Sequence, residues 1–124
     1  MKEKSIISHQ IGGQTFLEIN SEGQFVNNVQ DALDLLGELF GRYYDGIILH
    51  EGSFNPRFFD LKTKLAGEIL QKFSNYRVRL AIVGDWSKYT SHSFAAFIVE
   101  SNRGHMVNFT TSTEEAVALL SRYK

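Results

Sequence analysis

In 124 residues the chain has no cysteine, one proline and one tryptophan. Without cysteine there are no disulfides, no thiolate metal sites and no cysteine nucleophile. Neither charge dominates: 13 basic and 14 acidic side chains leave a net charge of -1. The broad positive field that non-specific nucleic-acid or anionic-membrane binding needs is therefore missing. No stretch approaches the ~18 apolar residues of a membrane span, and Met1 to Ser5 leads into a strand pattern rather than an apolar signal segment. These scarcities predict a soluble cytoplasmic protein whose partners are neither nucleic acid nor membrane.

What the chain does have is a 43% hydrophobic complement, enough for one core without covalent staples. Ile6, Ile7 and Ile11, then Gly12-Gly13, then Phe16, Leu17 and Ile19 suit a hairpin over 5–19 whose turn needs positive φ. Asn27 with Gln30 three residues on predicts a helix start. Val29, Ala32, Leu33, Leu36, Leu39, Phe40 and Tyr43 carry that helix to about residue 44 at helical spacing. Asp45-Gly46 breaks it before a strand over 47–50, whose unbroken apolar run fits burial on both faces.

Asn55-Pro56 has the cap-then-first-turn form of a helix start, and Phe58, Leu61, Leu65, Ile69 and Phe73 make one apolar stripe to about residue 73. A strand over 78–84, a loop over 85–90 and a helix over about 91–102 follow. Gly104 is placed as a left-handed helix C-cap, 106–109 as a last strand, and Ser112 with Glu115 as a capping box for a closing helix reaching Tyr123. The order ββαβαβαβα, with no linker or repeat, predicts a single α/β domain over 1–124, a mixed sheet with central parallel strands and packed helices.

Parallel strands deliver their following loops to one edge of the sheet, where open α/β folds carry their sites. That edge receives Phe54 after one central strand and Trp86 with Tyr89 after the next. Tryptophan and tyrosine combine large rigid area with a hydrogen-bonding tip, so they suit a recognition surface. The expected contact set is Phe54, Arg57, Asp60, Trp86 and Tyr89, with Trp86 on the recognition edge rather than in the core. The alternative is that Phe54 and Trp86 fold back and plug the core.

His50, Glu51, Asp85 and His92 lie near the same edge and could converge as an acid–base cluster serving a small-molecule site or a minor enzyme. The competing reading is that Asp85 braces its own loop and His50 packs with a hydrogen bond. The four histidines stand 41, 42 and 13 residues apart, so no metal-ligand spacing occurs. No Gly-x-Ser-x-Gly elbow is present, and Gly84 alone does not make a phosphate loop. No cofactor is expected.

The element order resembles the STAS domain, the fold of bacterial anti-sigma-factor antagonists, which are partner-binding switches. Phe58-Phe59-Asp60-Leu61-Lys62-Thr63 falls where those proteins carry an apolar pair, an aspartate and a phosphorylatable hydroxyl. Leu61 and Lys62 stand at the hydroxyl positions, so the resemblance implies a binding module without that phosphate switch unless Thr63 or Ser53 substitutes. Phe58-Phe59-Asp60-Leu61, Leu80-Ala81-Ile82-Val83-Gly84-Asp85 and Glu100-Ser101-Asn102-Arg103-Gly104 are similar to the bacterial family catalogued as domain of unknown function 4180. The expectation is a non-enzymatic regulatory module that binds a protein partner.

Overall fold

The computed structural model describes residues 4–122. Strands β1 (Lys4–Ile11) and β2 (Gln14–Ser21) form an antiparallel hairpin. Gly12 and Gly13 take φ of 55° and 81° at its turn, the doubly positive geometry that non-glycine residues resist. Three parallel strands follow, β3 (Gly46–His50), β4 (Leu80–Val83) and β5 (Val107–Thr110), and the sheet order is β1-β2-β3-β4-β5. The predicted α/β class and mixed sheet are as read from the sequence.

Because side chains alternate along a strand, β2 splits cleanly. Leu17 and Ile19 point to one face, where they meet Ile47, Leu49, Leu80, Ile82 and Phe109 under helices α1 (Val29–Glu38), α2 (Leu65–Asn75) and α3 (His92–Arg103). Three crossovers that all advance one strand in the same direction place their helices on one face, as uniform handedness requires. Phe16, Ile48 and Ala81 point to the other face. There α4 (Thr113–Leu120) covers them with Ala116 and Leu120. This second cover is short and leaves the β1-β2 part of that face open, with Ile7 and Ile11 each 46% exposed.

Four sequence expectations change. The first helix is capped by Asn28, whose side chain accepts from Asp31 N, and not by Asn27. It stops at Leu39 because the chain turns through Gly41 at φ 91°, so Phe40 (89% exposed) and Tyr43 (70%) leave the core stripe. Asn55-Pro56 does start a turn, with Asn55 Oδ1 accepting from Arg57 N at 2.9 Å, but only a 3₁₀ turn over Pro56–Phe59. Asp60 then caps a second one over Leu61–Thr63, and Lys64 at φ 64° separates it from α2. One long helix is thus three pieces. Gly104 is extended (φ -92°, ψ -169°) rather than left-handed, and its carbonyl accepts from Asn108 Nδ2 at 3.0 Å. Tyr123 lies outside the described residues.

Among the described residues no helix is long and apolar enough to cross a membrane.

Candidate functional site

The C-terminal ends of the parallel strands are roofed by aromatic rings. Phe54 (1% exposed) and Phe58 (0%) sit 4.2 Å apart between ring centres, and Phe59 extends the contact to Trp86 at 5.8 Å and Tyr89 at 5.4 Å. Trp86 meets Phe109 edge-on at 5.0 Å, and Tyr89 meets Phe94 at 5.0 Å. Such tilted and edge-to-face pairs add ~0.5–1.5 kcal/mol each beyond burial. The Trp86 indole N–H donates to Thr110 O at 2.7 Å, tying the loop after β4 to the end of β5. Phe54 is therefore a core residue and leaves the expected contact set, for a reason the chain makes plain: Val26 pairs with it in an isolated bridge that pulls the loop inward. Trp86, expected on the recognition edge rather than in the core, is half-buried, with its ring against Phe59 and Phe109. Tyr89 is half-buried, while Arg57 and Asp60 are exposed on the rim.

The ionisable residues at this edge separate into two groups. Glu51, directly after β3, accepts from Asp85 N at 3.1 Å and from the Tyr89 hydroxyl, and pairs with Lys88 Nζ at 2.7 Å. Burial pushes the Glu51 carboxyl up, but the Lys88, Tyr89 and Asp85 contacts outweigh it and hold the group below its ordinary value. Burial, and then the Glu51 carboxylate, raise the Tyr89 phenol well above its usual range. Asp85 is exposed and accepts from Ser87 N and Oγ, the loop-bracing role named among the sequence alternatives. Its carboxyl is lowered chiefly by those Ser87 bonds.

Gly84 is what lets the two loops meet. A Cβ there would lie 2.8 Å from Glu51 Cβ and 2.9 Å from the Trp86 ring. Gly84→Ala is accordingly expected to destabilise the fold by about 1–3 kcal/mol, the usual cost of overpacking, and to loosen Glu51 from Tyr89. Urea unfolding measures the first, and the pH at which Tyr89 ionises by ultraviolet absorbance measures the second, which should fall.

His50 takes no part in that cluster. It turns to the α4 face, where Nε2 donates to Glu18 Oε2 at 2.7 Å; His9 Nε2 donates to Glu18 Oε1 at 2.8 Å, and Thr113 Oγ1 to Oε2 at 3.1 Å. The register explains the meeting. Glu18 lies opposite Ile7 on one side and Ile48 on the other, so His9 and His50 are its diagonal neighbours on the same face. Burial raises the Glu18 carboxyl, yet the His9, His50 and Thr113 hydrogen bonds together bring it below its ordinary value. His92 is exposed at the start of α3 and joins neither group. Of the four candidate acid–base residues, only Glu51 and Asp85 are brought together, and through the backbone N–H of Asp85. Among the described residues no group of three His, Cys, Asp or Glu is arranged to hold a metal ion.

The hydroxyls nearest the resembled phosphate position are engaged internally. Thr63 Oγ1 lies 2.8 Å from both Arg57 O and Asp60 O, and Ser53 is buried with its Oγ accepting from His50 N at 3.3 Å.

Sequence reasoning missed Glu18, His9 and Thr113. The available signal was a glutamate within Phe16-Leu17-Glu18-Ile19, an acidic side chain forced to a sheet face by its apolar neighbours. It also passed over the opposite edge of the sheet. There a cleft of about 830 Å³ is lined by the end of α1, the turn after it and the α2–β4 turn, and a second of about 520 Å³ adjoins it.

No curated protein and no solved structure matches the chain. A family model does, over residues 11–120, from the last residue of β1 to the last residue of α4. The whole of the sheet-and-helix unit from the hairpin turn onward is thereby accounted for, and the chain belongs to the family described as Domain of unknown function (DUF4180).

Proposed function

We propose that this chain is a non-enzymatic, STAS-like regulatory module that contacts a protein partner through the rim at the C-terminal ends of its parallel strands. The observation that carries this is the internal use of Glu51, His50 and Asp85, three of the four ionisable groups that chemistry at the edge would need, while the fourth, His92, stands apart from them. Glu51 is held by Lys88, Tyr89 and the loop backbone, His50 by Glu18, and Asp85 by Ser87. A carboxylate and an imidazole committed to such bonds hold loops in place. Arg57 and Asp60 stand outside this network, exposed above a floor of packed rings. A pre-formed rim needs little ordering when a partner docks, which favours affinity.

The test is a photo-crosslinking amino acid at position 57 of the full chain, expressed in the native host. The expected result is one discrete protein adduct that is lost when Asp60→Lys is added. Crosslinks spread over many abundant proteins, or unaffected by Asp60→Lys, would remove the partner surface from this rim.

A further inference from the structure

We propose that the adjoining clefts at the other edge of the sheet, where the parallel strands begin, bind a small planar aromatic anion. The charge distribution comes first. Although the chain is net negative, four of its six arginines line these two clefts: Arg42 and Arg77 in the larger, Arg77 again with Arg79 and Arg122 in the smaller. Among the described residues Asp45 is the sole carboxylate lining either, and both its oxygens are occupied, Oδ2 by Thr15 N at 2.8 Å and Oδ1 by the Tyr43 hydroxyl at 3.3 Å. Arg42 and Arg77 form no ion pair with any described residue. An uncompensated guanidinium group is a planar donor set matched to carboxylate, sulfonate or phosphate.

The apolar side of the larger cleft selects the rest of the ligand. Phe40, Tyr44 and Tyr76 line it with Leu33 and Leu36, and Phe40 and Tyr76 are 89% and 61% exposed. Aromatic faces and guanidinium planes stack on flat rings, and the cleft's 830 Å³ lies within the 300–1,000 Å³ of small-molecule sites. Arg77 also sits at φ 56° in the turn between α2 and β4, a left-handed backbone that a long side chain adopts at a cost. The turn carries an arginine where glycine or asparagine would be easier, and that arginine, with Asp45, is shared by both clefts. This site stands apart from the proposed partner rim, and either can fail alone.

The probe is anilinonaphthalene sulfonate, titrated by fluorescence into the folded full chain at low and at 0.5 M salt. Expected are saturable binding that weakens with salt, and a loss of at least tenfold in affinity for Arg77→Gly. Glycine suits φ 56°, so that variant removes the guanidinium without adding backbone strain. Arg103→Ala, an exposed arginine that lines neither cleft, should bind as the parent does. Equal binding by Arg77→Gly, tighter binding of decanoate than of the aromatic sulfonate, or a dimer in sedimentation that Phe40→Ser dissolves would each overturn the proposal.

Discussion

Replacing Trp86 by alanine is expected to lower the unfolding free energy by about 3 kcal/mol, the lower end of the range for large aromatic truncations, because the ring is half-buried. The loss has two parts that a second variant separates. Trp86→Phe keeps a ring against Phe59 and Phe109 but removes the N–H that donates to Thr110 O. Thr110 O still accepts from Gly84 N at 3.0 Å, so the loss is that of one hydrogen bond, about 0.5–1.5 kcal/mol, and Trp86→Phe should fall between parent and alanine variant. Urea unfolding of the three proteins measures both parts. A shift under about 1 kcal/mol for Trp86→Ala would show that the indole is not an anchor and return it to the rim as a contact residue.

Glu18→Ala is expected to cost about 2–3 kcal/mol at neutral pH. It removes an ionised acceptor from three hydrogen bonds at a position only 7% exposed, and bonds to charged groups are worth about 1.5–3 kcal/mol. Both histidines remain partly exposed and can rehydrate, which keeps the cost below that of a fully buried pair. The pH dependence has a definite sign. The folded carboxyl lies below its ordinary value of 4.5, so its contribution is complete above that value and is lost as pH falls through the folded value. The stability gap between the parent and Glu18→Gln, which cannot ionise, should therefore be flat above pH ~5 and shrink below pH ~4.5. A gap that stays constant down to pH 3 would mean that the charge on Glu18 contributes nothing.

Much of the architecture was legible because its signals are local. Ile47-Ile48-Leu49 and Leu80-Ala81-Ile82 are doubly buried strands with no polar alternation, and both prove to be central. Ser91 and Ser112 cap α3 and α4, accepting from Phe94 N and Glu115 N. The stretch from Pro56 to Phe73 misled for an equally local reason. Its apolar spacing is helical throughout, but Asp60 bonds the backbone of Lys62 and Lys64 turns left-handed, and neither event changes the periodicity. The site was harder to read. Glu18 meets His9 across a hairpin, His50 across a parallel pair and Thr113 from 95 residues away, a convergence that depends on strand order and register. The four arginines are likewise scattered from 42 to 122 and gather only when the strands align their starts.

The consecutive strand order bears on how the chain is made. Each new strand adds beside the one before it, so the sheet can grow in the order in which the chain leaves the ribosome, with no strand waiting for a later one to fill a gap. Contacts made in sequence keep loop closure short and favour fast folding. The contacts that cannot form early are those of the last helix: Thr113 with Glu18, Ala116 and Leu120 over Phe16 and Ile48, and Arg79 donating to Leu120 O at 2.9 Å. Until α4 emerges, the face of the nascent sheet that it covers stays bare, with Phe16 and Ile48 as its exposed apolar surface.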